Sequence, residues 1–154
     1  MNQSLREQVN DALKTAVKAQ DRIRVSTLRL INAAIKDRDI QNRTAGRVKG
    51  VSDDEVLDIL VKMVKQRRES VQIYEEAGRI ELAEREQREI DVIQEFLPRQ
   101  LGEEEARAAV KAVIGELDAE GLKDMGRVMG ALKERYAGQM DFARASAMAK
   151  ELLG

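Results

Sequence analysis

The sequence predicts an all-α protein of seven helices, of which the last three form a bundle. Three observations predict this class. Aromatic residues make up 3% of the chain against 43% hydrophobic residues in total, and Trp is absent, so aliphatic residues and Met must fill the interior. These residues recur at three- and four-residue spacing, the period of one helix face. Gly and the single Pro stand at few positions, where helices would end.

The first two helices are predicted from their capping residues and one-sided apolar spacing. Ser4 is a suitable N-cap for helix one, and a break around Gln20 and Asp21 leads into helix two, which continues to about Arg43. The basic segment Thr44–Val51 contains two glycines and predicts a mobile loop.

Helix three begins at the capping box Ser52-Asp53-Asp54-Glu55, in which the Ser and Glu side chains satisfy each other's backbone donors. It continues to Ala77, and Gly78 stands where a left-handed cap is needed. Helix four follows and ends near Phe96.

Pro98, the only proline, predicts the boundary between two domains, 1–97 and 98–154. Proline lacks an N–H and disfavours helical geometry at the residue before it, so helix four must stop here. Beyond it, Glu103-Glu104-Glu105 places three acids at the start of helix five, where they complement the helix dipole. A metal site is the alternative for these acids, but hard cations need several converging oxygens, so no metal is expected.

Helix six, about 124–136, carries Gly126 and Gly130 four residues apart. Glycine inside a helix costs about 1 kcal/mol relative to Ala, so the pair predicts close approach by another backbone or a ligand. Packing of another helix is the favoured interpretation. Approach of a phosphate backbone beside Lys123 and Arg127 is the alternative.

Helix seven follows a break at Gly138 and is capped by Asp141. It completes a bundle with helices five and six. The methionines of this region are interpreted as core filler, since flexible thioethers close irregular gaps. The apolar stripe of helix seven comprises Phe142, Ala145, Ala149 and Leu152.

Charge is segregated along the chain although the net charge is −1. From Lys14 to Lys49 there are ten Lys or Arg against three Asp, and from Glu75 to Glu95 there are eight acids against three Arg. The favoured interpretation is that these two runs pair with each other in the folded protein. The alternative is that the basic block forms a positive face for nucleic acid.

The residue inventory argues against covalent catalysis. The chain has no His and no Cys, which removes the commonest general base, a thiol nucleophile and the usual zinc ligands. No Ser stands in a Gly-rich turn, and no phosphate-binding Gly-rich loop is present. We therefore expect no catalytic residue, no cofactor and no metal.

A cytoplasmic location is expected. The absence of Cys means that no oxidising compartment is needed for folding, and the first twenty residues lack the apolar core of a secretory signal. No window approaches the roughly 20 apolar residues of a membrane span, so no membrane partner is expected.

Two runs of the sequence resemble the YqeY family of small bacterial proteins. They are Phe96-Leu97-Pro98-Arg99-Gln100-Leu101 and Gly121-Leu122-Lys123-Asp124-Met125-Gly126-Arg127-Val128-Met129-Gly130, and the order of seven helices also matches. The resemblance extends from helix one to the terminal Lys150-Glu151-Leu152-Leu153. One departure is Met140, which stands in the turn after helix six where the family has a small residue.

The resemblance implies a helical-hairpin domain followed by a three-helix bundle. The family shares its domain with the tail of the GatB subunit of tRNA-dependent amidotransferase, which helps to recognise tRNA while the chemistry occurs in other domains. Similar domains fused to some glutaminyl-tRNA synthetases assist tRNA binding. The family therefore often carries the label of a carbon–nitrogen ligase with glutamine as amido donor.

Three functional hypotheses follow. The first is a tRNA-binding accessory protein that uses shape and phosphate contacts, although autonomous RNA binders usually carry a clearer positive excess. The second is an interaction module that docks on a synthetase or amidotransferase component. The weakest is a glutamine-dependent ligase. The candidate phosphate contacts are Lys123 and Arg127 from the family motif, and Lys133, Arg135, Arg144 and Lys150 from charge alone. The oligomeric state is left open.

Overall fold

The computed structural model describes residues 3–47 and 50–154, and within them it contains seven α-helices and no strand, which confirms the all-α class. None of the helices in these ranges is both long and apolar enough to cross a membrane. Val48 and Lys49, in the predicted loop, lie outside the described residues. The helices are α1 (Leu5–Ala19), α2 (Arg22–Thr44), α3 (Asp53–Glu76), α4 (Ile80–Gln94), α5 (Glu103–Glu116), α6 (Met125–Arg135) and α7 (Phe142–Leu153), with one 3-10 turn at Leu122–Asp124 before α6.

The helix termini follow the side chains that the sequence offers as caps. Four side-chain caps, namely the predicted Ser4, Ser52 and Asp141 and also Asp21, each accept a hydrogen bond from a free backbone N–H in the first turn. Each bond satisfies a donor that has no partner within the helix. Gly78, after α3, adopts the expected left-handed conformation with φ of 72°. The cap bonds are Ser4 Oγ to Glu7 N at 3.2 Å, Asp21 Oδ1 to Arg24 N at 3.1 Å, Ser52 Oγ to Glu55 N at 3.2 Å and Asp141 Oδ1 to Ala143 N at 3.1 Å.

The chain divides into two compact units, Met1–Leu97 and Pro98–Gly154. In the first unit α1 and α2 form an antiparallel pair. Asn32 on α2 donates to Asn10 on α1 at 3.0 Å, and Arg6, nearer the start of α1, binds Asp39, nearer the end of α2, at 2.9 Å. Because the residue later in α2 contacts the residue earlier in α1, the two helices run in opposite directions.

The remaining helices of the first unit, α3 and α4, are joined by a short turn around Gly78 and form a second pair, which packs with α2 over one core. Its distal end is open to solvent, with Ile73 64% and Ile80 53% exposed. The core residues are Val9, Ala16, Leu28, Ile31, Ile35, Val56, Ile59, Leu60, Met63, Val64, Ile90, Val92 and Ile93.

The two charged runs meet at one described ion pair only, between Arg24 and Glu95. Arg38 of the basic block instead binds Asp58 on α3 at 3.3 Å, and Glu89 of the acidic run binds Arg67 on α3 at 3.1 Å. The expected general pairing of the two runs is therefore wrong for the described residues, because α3 supplies nearer partners to both.

In the second unit α5, α6 and α7 pack pairwise around a separate core. Met140 is 5% exposed and belongs to that core, so the residue that departs from the family turn fills space between helices. Gly138 makes the turn before it with φ of 76°. The core residues are Ala106, Ala109, Val110, Val113, Val128, Leu132, Met140, Ala145, Met148 and Ala149.

Candidate nucleic-acid interface

Three of the six candidate cations share the solvent face of α6. Val128 and Leu132 are fully buried and define the inner side of this helix. At 3.6 residues per turn, Gly130 points to the opposite side. The residues that flank it on that outer side, all exposed, are Lys123 in the preceding 3-10 turn, Gly126, Arg127 and Lys133. We call these five residues the α6 face.

The two glycines of the α6 face have no packing partner. A Cβ placed on Gly126 or Gly130 would meet no described atom within 4 Å, apart from the helix's own backbone. The favoured interpretation, that the two glycines allow another helix of this chain to pack closely, is therefore wrong. Helical spacing predicts the side of α6 on which the glycines lie, but it does not predict which side of α6 the other helices contact. The outer side of α6 therefore exposes backbone at Gly126 and Gly130, beside three cations and the exposed Glu134.

Arg127 also links α6 to the end of α5. Its Nη2 donates to the carbonyl of Leu117 at the end of α5 at 3.1 Å and to Asp124 Oδ1 at 3.3 Å. Asp124 in turn accepts the N–H of Glu120 at 2.9 Å, and this bond, with the charges of Arg127 and Lys123, lowers the pKa of the Asp124 carboxyl. Sequence reasoning missed this structural role, although the Asp124–Arg127 spacing of three residues favours an ion pair.

The other three candidates lie elsewhere in the second unit. Arg135 binds Glu116 at the end of α5 at 2.5 Å, and Arg144 binds Glu103 at its start at 2.6 Å. These acids stand thirteen residues apart, which is about 20 Å along a helix. Lys150 is exposed on α7. The six candidates therefore do not form one patch.

Two of the three acids at the start of α5, Glu103 and Glu105, have partners within the second unit. Glu105 accepts two hydrogen bonds from Arg99, at 3.2 and 2.7 Å, and one from the N–H of Gly102 at 3.2 Å. The Arg99 guanidinium, followed by the Gly102 N–H, lowers the pKa of the Glu105 carboxyl to about 2. Among the described residues no group of three or more acids is arranged to hold a metal ion.

Comparison with known proteins places the chain within one family. Residues 6–153 match the sequence profile described as Yqey-like protein. Three curated fungal relatives are each named altered inheritance of mitochondria protein 41, mitochondrial. The relative from Pyrenophora tritici-repentis is 28% identical over 146 residues, 92% of this chain and 77% of the relative. Those from Eremothecium gossypii and Lachancea thermotolerans are 35% and 31% identical over 85 residues, 55% of this chain and 44% and 43% of their own lengths.

These relatives correct the expected cytoplasmic location, since all three are named as mitochondrial proteins. The expectation rested on the absence of Cys and of a secretory signal. A chain without Cys needs no oxidising environment, but it folds equally well in any aqueous compartment. Composition therefore could not choose between the cytoplasm and the interior of an organelle.

Proposed function

This chain belongs to the family of Yqey-like proteins, and from that premise we propose that it is a tRNA-binding accessory protein that performs no covalent chemistry. The resemblance of its second unit to the tail of an amidotransferase subunit supports tRNA as the ligand. The absence of His and Cys from the whole sequence supports a role in binding instead of catalysis.

We propose the α6 face as the surface that contacts tRNA, and one observation supports it. Lys123, Arg127 and Lys133 surround two glycines that leave the helix backbone open to solvent. A sugar-phosphate chain can lie closer to glycine than to any larger residue, and phosphate contacts position RNA without reading its sequence. Lys123 and Lys133 are exposed and form no ion pair among the described residues, although the charge of Lys123 helps to lower the pKa of Asp124.

The charge of the second unit limits its affinity for tRNA. Its residues 98–154 include nine Lys or Arg and ten Asp or Glu, and Glu134 lies on the outer side of α6 beside Arg127. Without a net positive field, we expect binding to be weak and strongly dependent on salt.

The decisive experiment is equilibrium binding of the full chain to total tRNA over a salt series. Lys123→Gln and Lys133→Gln should each reduce the magnitude of the salt slope by about one and weaken binding several-fold. Lys111→Gln, an exposed lysine on α5 with no described ion pair, is the matched control. We avoid substituting Arg127, since its loss would also break the link to Leu117. Equal curves for all four proteins would reject the α6 face.

A protein-interaction module is the second candidate. The observation that favours it is the open end of the α3–α4 pair, where Ile73 and Ile80 are more than half exposed. Exposed large apolar residues that lie together can mark an interaction site. Affinity capture after nuclease treatment tests this function: retention of a synthetase or amidotransferase component supports it, and loss of every partner with the RNA contradicts it.

A further inference from the structure

The first unit carries a regular row of cations along the whole of α2. Arg22, Arg29, Lys36 and Arg43 stand seven residues apart, which is nearly two helical turns, so they follow one another along one side of the helix. All four are exposed. Neighbours are about 10 Å apart along the axis, and the row is about 32 Å long. We call these four residues the α2 row.

The α2 row lies on the solvent side of α2. Leu28, Ile31 and Ile35, which are fully buried, define the opposite side. On the antiparallel neighbour α1, Lys14 and Lys18 are also exposed. The row is therefore a long, nearly straight line of charge, and it belongs to a different unit from the α6 face.

These charges are uncommitted within the part of the chain that the structure describes. No member of the α2 row makes an ion pair or a side-chain hydrogen bond there, whereas Arg127, Arg135 and Arg144 in the second unit each do. Three acids lie near the row, and the first of them, Asp21, accepts the N–H of Arg24 at 3.1 Å as the cap of α2. Asp39 is occupied by Arg6 and by the N–H of Val51, with Arg43 contributing a weaker attraction that helps to lower its pKa. Asp37 is exposed.

The spacing and chemistry of the row favour a nucleic-acid duplex over an acidic protein. A duplex presents phosphates along its whole length at a high and regular charge density, so a long row of cations finds phosphates near it in many positions. A helical protein partner would instead need an apolar seam between the charged positions. Between Arg22 and Arg43 the exposed apolar residues are Leu30, Ala33 and Ile40, which is fewer than the two per heptad that such a seam requires.

We propose that the α2 row is a second polyanion-binding surface, which lies along the phosphate backbone of double-stranded RNA without reading its sequence; the choice of RNA rests on the proposed tRNA-binding function. It goes beyond the α6 face, because it is built from residues of the other unit. With four contacts from the row, the logarithm of affinity should fall with the logarithm of salt concentration at a slope of roughly −3 to −4.

The test measures binding of the full chain to a 20-base-pair RNA duplex, in two unrelated sequences, over a salt series. Arg29→Gln/Lys36→Gln removes two central contacts, and Arg68→Gln/Arg88→Gln removes the same charge from exposed positions of α3 and α4 as the matched control. The first double variant should reduce the slope by about two and weaken binding at 0.1 M salt by at least about tenfold. The control should bind like the natural protein, and both duplex sequences should behave alike. Circular dichroism spectra of each variant would check that it remains helical.

The outcomes separate this inference from the proposed function. Loss of duplex binding in the α2 variant, with Lys123→Gln/Lys133→Gln unchanged, supports the row and not the α6 face. The reverse pattern overturns the row and leaves the proposed function standing. Equal loss in the α2 variant and its matched control overturns the row, because total charge would then explain binding. Poly-glutamate that binds as tightly as RNA, and loses affinity in the same variant, also overturns it in favour of an acidic protein partner.

Discussion

Gly130 stands directly opposite the buried side of α6, in the middle of the helix, with no described neighbour within 4 Å of an added Cβ. Glycine in such a position gains nothing from packing. It also loses more backbone entropy on folding than alanine would. Alanine would therefore favour the fold of the second unit more than Gly130 does, so packing among the described residues does not explain this glycine.

Gly130→Ala should stabilise the second unit by about 1 kcal/mol, because alanine fits the open space and favours the helix. If RNA lies against the α6 face, the same change should weaken tRNA binding. Urea denaturation and tRNA titration measure the two effects. Gly115→Ala on α5, which also has nothing within 4 Å, is the control and should leave affinity unchanged. A stabilised variant with full affinity would show that the open backbone is not used.

Glu105 makes the second unit sensitive to acid. Its pKa in the folded protein is about 2, below the ordinary value of 4.5, so the folded state holds the charged form more strongly than the unfolded chain does. The resulting stability is fully present above about pH 4.5 and is lost as the pH falls towards about 2.

Glu105→Gln should therefore lower Tm near neutral pH and leave it almost unchanged near pH 2. Thermal unfolding followed between pH 2 and 7 gives the difference between the two proteins at each pH. Glu104→Gln is the control, since Glu104 is exposed in the same turn and makes no described ion pair. A constant difference across the whole range would contradict the low pKa of Glu105.

At the scale of helices, α3 and α4 are joined by a charged pair that is nearly buried. The side chains of Arg67 and Glu89 are 14% and 11% exposed, and Arg67 Nε lies 3.1 Å from Glu89 Oε2. Arg67 also donates to the carbonyl of Met63 at 3.3 Å. Removing Arg67 leaves the Glu89 charge poorly solvated, with only the exposed Arg85 at 4.0 Å as a partner, and this costs more than the pair itself contributes.

Arg67→Met should destabilise the first unit by about 3 kcal/mol, whereas Arg67→Met/Glu89→Leu should recover most of that loss. Urea denaturation of both variants measures the difference. Lys62→Met is the control, because its pair with Asp58 lies at 3.0 Å but Lys62 is 60% exposed, and we expect a loss below about 1 kcal/mol. A double variant no more stable than Arg67→Met would show that the charges are not the cause.

Helix positions were predictable from the sequence because they depend on neighbouring residues. Ser4, Ser52 and Asp141 cap the helices that their positions suggested, and Gly78 adopts the left-handed conformation that the end of α3 requires. These features need only a few adjacent residues. The same holds for the α2 row, whose seven-residue spacing is visible in the sequence.

Contacts between helices were not predictable in the same way. The periodicity of α6 gives the direction of Gly126 and Gly130 but not which directions other helices occupy. Likewise, counts of acids and bases along the chain could not show that α3 supplies partners for Arg38 and Glu89. The α6 face could therefore be named from sequence only as cations, without the open backbone between them.

At the scale of the whole molecule, each unit has its own core. The two clusters of buried residues share no member, and the boundary between the units falls between Leu97 and Pro98. A bundle as small as residues 98–154 has an unfolding free energy of only about 3 to 9 kcal/mol. We therefore expect the second unit to fold and unfold as a domain of its own.

Leu132→Ala should unfold or strongly destabilise the second unit alone, because truncating a fully buried Leu costs about 2 to 5 kcal/mol. Hydrogen exchange read by mass spectrometry should show lost protection in 98–154 and unchanged protection in the first unit. Leu28→Ala, also fully buried, should give the reverse pattern. Loss of protection across the whole chain in either variant would show one cooperative domain.

The segment that follows Pro98 is fastened to the turn after α6. Gln100 donates its side-chain amide to the carbonyls of Pro98 and Gly138, and the N–H of Leu101 donates to the carbonyl of Gln139 at 2.8 Å. The non-helical residues 98–101 are thus part of the folded second unit, because hydrogen bonds attach them to the turn after α6. A shortened polypeptide that starts at Gly102 would forfeit these bonds, whereas one that starts at Pro98 would keep them.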